Sequence, residues 1–246
     1  FAYGEADVTN ACAINVTDGN GVEVLGFFVD SMVNDGTINV SGSGYLQGIN
    51  VVAPYGLAEV VNNGNVTVYS SDIAIGIYAG GGAGAAVTNT GLVDAYGVYG
   101  AAGVVALGDG SGATVDNSGE ITGTAKYGNA FGVIAYGDDA SVSNDVGAVI
   151  QGISLYGDAA GVQAYAGIGQ AVVSNDGYVG ARALYGSAVG IYAAGYAGAN
   201  VTNGGTVLSI GYNAATGIDA YSAGTASVAN SGTVVAVYYG SAVGID

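Results

Sequence analysis

Residues 87–97 read Val-Thr-Asn-Thr-Gly-Leu-Val-Asp-Ala-Tyr-Gly, and residues 115–125 read Val-Asp-Asn-Ser-Gly-Glu-Ile-Thr-Gly-Thr-Ala. Both fit V-x-N-x-G-x-[IV], and the second begins 28 residues after the first. The asparagine of this pattern returns at Asn10, Asn34, Asn62, Asn89, Asn117, Asn144, Asn175, Asn203 and Asn230, with gaps of 24, 28, 27, 28, 27, 31, 28 and 27 residues. A period of roughly 20–50 residues marks a solenoid, a propeller or an array. A propeller blade takes about 40 residues or more. The shorter period selects a solenoid.

Around each asparagine the side chains alternate with period two, the signature of a strand with one buried face. Two residues before it stand Val8, Met32, Val60, Val87, Val115, Val142, Val173, Val201 and Val228. Two residues after it comes a glycine in seven repeats, from Gly36 to Gly232, and the sixth repeat is read as using Gly147 after one extra residue. Beyond that glycine lies a β-branched column: Ile38, Val66, Val93, Ile121, Val149, Val179, Val207 and Val234. The asparagine shares the inward parity of these columns. Placed identically in every coil, its amide is expected to form a ladder with the coils above and below, which satisfies a buried polar group that is otherwise costly. The glycine is expected to supply the bend of a corner.

A second strand in each repeat reads A-x-G-[IV]-x-A. It runs from Ala74, Gly76 and Ile77 to Ala242, Gly244 and Ile245. Tyr127, Tyr156, Tyr185, Tyr212 and Tyr239 stand five residues before its glycine. A weaker third strand completes the period. No apolar stripe of helical spacing occurs. The expectation is an all-β, parallel β-solenoid, right-handed like other parallel crossovers, with about nine coils of 27–28 residues and three faces per coil. Residues 1–246 form one domain, because no linker interrupts the repeat.

Composition narrows the function. The 246 residues carry 19 acidic groups against Lys126 and Arg182, no His, and a net charge of −17. Nucleic acid and anionic membrane surfaces are excluded as partners, since both need clustered Lys and Arg. No apolar run is long enough for a membrane helix, and no membrane insertion is expected. Cys12, the single cysteine, rules out an intrachain disulfide and is read as a small buried hydrophobe. Asp138-Asp139 and the Gly108–Ser111 loop are the best carboxylate candidates, but both lie in turn chemistry. No catalytic residue, metal site or cofactor is expected. Lys126 and Arg182 read as solvated charges, and the tyrosine column as structural, with surface glycans the sharper alternative partner.

The repeats, V-T-N-x-G-x-[IV] and Y-G-x-A-x-G-I-x-A, resemble those in passenger regions of bacterial autotransporters and related secreted adhesins. Segments 87–97 and 228–245 carry the resemblance most clearly. It implies secretion to the bacterial surface and a structural or adhesive role. The usual export barrel of that family is not found in residues 1–246, a departure from its pattern.

The two ends of the sequence also match. Gly244-Ile245-Asp246 followed by Phe1-Ala2-Tyr3 continues the repeat as Gly217-Ile218-Asp219 continues toward Asn230, and the joined gap from Asn230 to Asn10 is 16 + 10 = 26 residues. A head-to-tail contact that does not close generates a filament. The expected interface comprises Phe1, Ala2, Tyr3, Val8 and Asn10 at one end, and Ala242, Val243, Gly244, Ile245 and Asp246 at the other. The partner is then a second copy of the chain, in an extracellular filament. A fragment of a longer adhesin passenger is the competing expectation.

Overall fold

The computed structural model describes residues 4–238 and 241–246. Within them the chain winds through three parallel sheets of nine strands each. The first coil consists of β1 (Ala6–Asn10), β2 (Ala13–Thr17) and β3 (Val22–Leu25), and the last of β25 (Thr225–Asn230), β26 (Thr233–Tyr238) and β27 (Ala242–Ile245). Each sheet takes one strand from every coil in chain order. The β-solenoid follows directly. At about 4.8 Å per coil the stack is on the order of 40 Å tall.

Register is conserved from coil to coil. Asn62, Asn89 and Asn117 pair directly, as do Val66, Val93 and Ile121 in the second sheet and Ile77, Val104 and Val133 in the third. Inward-facing Val, Ile and Ala from all three sheets form one continuous core, and Ile77, Val104, Ile121 and Ile191 are fully buried within it. Burying such a side chain contributes roughly 1.5–3 kcal/mol. The repeated columns therefore supply the cohesion that a chain without disulfides needs.

Three sequence expectations change. V-x-N-x-G-x-[IV] is not one strand: the chain turns after the asparagine, so that β10 (Gly84–Asn89) lies in the first sheet and β11 (Leu92–Gly97) in the second. The weaker third strand is this second-sheet segment. The sixth repeat carries two extra residues, not one. Gly147, with φ +82°, and Val146, 84% exposed, protrude as a turn. The column then resumes at Ala148 and Ile150 instead of Gly147 and Val149, and Ile150 pairs with Ile121 and Val179.

The corner glycines also have a different cause. None of Gly36, Gly64, Gly91, Gly119, Gly177, Gly205 and Gly232 has a positive φ. A Cβ on any of them would instead lie closer than 3.0 Å to a backbone carbonyl oxygen of the preceding coil. Close stacking, not left-handed backbone, requires glycine there.

Candidate functional site

The asparagine ladder runs the length of the stack. Asn34, Asn62, Asn89, Asn117, Asn144, Asn175 and Asn203 are at most 2% exposed, and Asn10 is 7% exposed. Each Nδ2 donates to the Oδ1 of the next asparagine at 2.7–2.9 Å, from Asn10→Asn34 to Asn203→Asn230. The other amide hydrogen reaches backbone carbonyls: Asn117 Nδ2 donates to Gly119 O and Val149 O, both at 3.1 Å. All eight bonds point from the N-terminal coil toward the C-terminal one. The ladder therefore ends in unlike groups: a carbonyl oxygen on Asn10 and an amide donor on the exposed Asn230.

The two end faces carry the same columns. Val8, Ile14, Val16 and Val22 lie partly buried on the first coil, and Val228 and Val234 on the last. Ala242, Val243, Gly244 and Ile245 form β27, and Asp246 continues its ladder by donating its N–H to Ile218 O at 2.9 Å. Ile245 pairs with Ile218 on the inward face, whereas Val243 pairs with Thr216 on the outer face. Phe1, Ala2 and Tyr3 lie outside the described residues. The free sheet edges are β1 and β25, β2 and β26, β3 and β27. Register across a head-to-tail seam would thus set β27 against β3, not against the segment preceding Asn10 as the sequence suggested.

A second glycine column singles out one end. Gly21, Gly48, Gly76, Gly103, Gly132, Gly161, Gly190 and Gly217 each leave room for the carbonyl oxygen of the corresponding glycine in the following coil, which a Cβ would approach to less than 3.0 Å. Gly244 ends this column, and nothing lies within 4 Å of where its Cβ would be. The coil of Gly244 already has the feature that accommodates another coil.

Cys12 is exposed, contrary to the buried reading. It holds the corner-glycine position of the first described coil, so no described coil covers its side chain. Ala148, in the same column, shows that an interior coil accepts a Cβ there when the corner is rebuilt by an insertion.

Tyr127, Tyr156 and Tyr185 stack at 5.1–5.4 Å with interplanar angles of 9–14°, and Tyr99 and Tyr212 extend the column at 5.8 and 6.0 Å. Tyr99 was not in the sequence column because its spacing differs by one residue. Tyr239 lies outside the described residues. Because the three central rings cover one another's faces, stacking a sugar on them would mean separating aromatic pairs worth roughly 0.5–1.5 kcal/mol each. Lys126 Nζ sits 4.9 Å above the Tyr127 ring, and the hydrogen bond to Tyr127 raises the lysine above its ordinary value.

Asp30 carries no sequence signal. It is fully buried in a column otherwise held by alanines such as Ala58 and Ala85, and both carboxylate oxygens lack a hydrogen-bond partner. Among the described residues no three His, Cys, Asp or Glu side chains gather as a metal-binding group. No protein family matches the chain, and neither a curated protein nor a solved structure shows significant similarity to it.

Proposed function

We propose that this chain is a structural, non-enzymatic subunit that polymerises head to tail, the last coil of one copy stacking on the first coil of the next. The observation that carries the reading is Gly244, a glycine whose only steric reason in eight equivalent positions is a following coil. Ladder polarity agrees: the Asn230 amide would donate to the Asn10 carbonyl of the next copy, continuing the direction of every other bond. Val228 would meet Val8, Val234 would meet Ile14, and Ile245 would meet Val22. Unpaired edges favour such strand addition, and a heterologous contact that does not close gives an open fibre.

The resemblance of the repeats to autotransporter passengers supports an extracellular location for the fibre, on or beyond a bacterial surface. Cys12 is the least well matched position, since its side chain occupies the space that corner glycines leave free. Electron microscopy of the purified chain tests the reading, with Gly244→Val as the key variant. Open space at Gly244 lets the variant chain fold, while the added methyls obstruct the next coil. Long fibres from the native chain and single short rods from the variant support polymerisation. Short rods from both would leave the adhesin-passenger reading in its place.

A further inference from the structure

The outer face of the second sheet changes character along the stack. One outward column runs Thr17, Ser41, Tyr69, Tyr96, Thr124 and then Ile153, Arg182, Ile210, Val237. Its neighbour runs Asn15, Asn39, Thr67, Asp94, Thr122, Gln151 and then Gly180, Leu208, Val235. Polar and aromatic residues thus give way to largely apolar ones, Arg182 apart, in the last four coils of the first column and the last three of its neighbour. Val235 and Val237 are 38% and 48% exposed, and Leu184 beside them is 44% exposed. Two adjoining grooves of about 440 and 430 Å³ cross this region and share Arg182 and Leu184. Lys126 lines the second groove, so both basic side chains of a chain with 19 acidic ones border a single surface.

A second apolar patch lies elsewhere, on the outer face of the third sheet. Ile75, Ala102 and Val105 form a cluster there that is only 5–8% exposed, and the half-buried Tyr78, Leu107, Phe131 and Ile134 packed against it supply its solvent-facing surface. At its margin a groove of about 320 Å³ is lined by Tyr78, Leu107 and the exposed Asp109. One patch is aliphatic with a cation at its centre. The other is apolar with a carboxylate at its edge, and the two occupy different faces.

We propose that these patches bind each other between two copies of the chain, joining rods side by side, with Arg182 of one copy paired to Asp109 of the other. Exposed apolar patches rimmed by polar groups mark interaction sites, and charge complementarity fixes partner and register. An isologous contact of the Arg182 patch with itself would oppose two arginines, so the contact is heterologous. Two chains of charge −17 repel over their whole surfaces. Screening that repulsion favours the contact, so lateral association strengthens with salt.

The test uses Gly244→Val chains, in which end stacking is blocked, so that only side-by-side contact is read. Sedimentation is compared between about 0.05 M and about 0.5 M salt, a range over which the Debye length falls severalfold. Association is expected to rise with salt, to weaken at least about tenfold with Arg182→Glu, and to return with Arg182→Glu combined with Asp109→Arg. Ile210→Asp is expected to abolish it. Chains that stay monomeric at every salt concentration, or a charge reversal without effect or without rescue, overturn the proposal. Retention of polygalacturonate through Lys126 and Arg182 with no self-association also overturns it, because the occupant is then an acidic polymer. If Gly244→Val still elongates, the seam reading fails by itself, and lateral contact is scored as bundling of single fibres in micrographs with the same substitutions.

Discussion

Replacing Asn117 by Leu tests whether the ladder is a chain of dependent bonds or a set of tolerated polar groups. Asn117 accepts from Asn89 at 2.8 Å and donates to Asn144 at 2.9 Å, besides its bonds to Gly119 O and Val149 O. Leu cannot make any of these. Asn89 Nδ2 keeps Gly91 O at 3.1 Å and Glu120 O at 3.3 Å, so its loss is partial. Asn144 Oδ1 loses the donor that reaches it along the ladder, in a site only 2% exposed. An orphaned buried polar group costs about 1–3 kcal/mol, so with the weakened donor the expected loss is about 3 kcal/mol. Asn230→Leu is the internal control. That side chain is exposed, its Nδ2 donates only to Gly232 O at 3.4 Å while its Oδ1 accepts from Asn203, and its replacement should cost about 1 kcal/mol or less. Urea denaturation of end-blocked Gly244→Val chains reads both values without a contribution from polymerisation. Amide exchange in the coils flanking position 117 shows whether the damage stays with the neighbours, as expected of a solenoid. Equal effects at positions 117 and 230, or a loss at position 117 below about 0.5 kcal/mol, would refute the reasoning.

Asp30→Ala restores the alanine of its column and removes two unsatisfied buried oxygens, so it should stabilise the first coils by about 1–3 kcal/mol, read as a higher urea midpoint. Burial first, and then the Asp246 charge, raises Asp219 above its ordinary value of 3.8. A carboxylate raised in the folded state holds more protons than in the unfolded one, so that part of the stability falls as pH rises from about 3.8 through the raised value. At the proposed seam Glu23 would join the same column beside Asp246. Polymerisation should therefore be faster at acid than at neutral pH, and Asp246→Asn should reduce that difference in light-scattering traces. Trypsin should cut slowly, and at Lys126 before Arg182: Lys126 lies in a bend after β14 (Glu120–Ala125), whereas Arg182 lies within β20 (Tyr178–Ala183), bonded on both sides. Mass spectrometry of the first fragments checks the order.

Much of the fold was legible because every coil poses the same physical problem to the same column. Val87, Asn89 and Val93 face the core for reasons that recur in each repeat, so parity and period sufficed to place them. The sixth repeat resisted because Gly147 satisfies the glycine pattern by letter; only the protruding turn shows that Ala148 fills the position. Cys12 was misjudged since its column is covered by a preceding coil everywhere except at the first. Asp30 is one letter in a column of alanines, with no periodic signal of its own. The aliphatic turn of the second sheet at Ile153, Ile210 and Val237 escaped because the repeat motif fixes only the inward columns, and these residues face outward. What a repeat shares is visible in sequence; what a single coil does differently requires the neighbours to be in place.

The alignment of inter-coil hydrogen bonds along the stack also fixes how the rod bears force. Compression or uniform tension between two coils loads all the backbone bonds of that junction and its asparagine bond together. A pull on a loose end acts otherwise. It peels a terminal coil residue by residue, breaking few bonds at a time. Resistance to such a peel rests on the terminal coils of whatever stack the chain forms, one coil at a time, because each coil contacts mainly its neighbours.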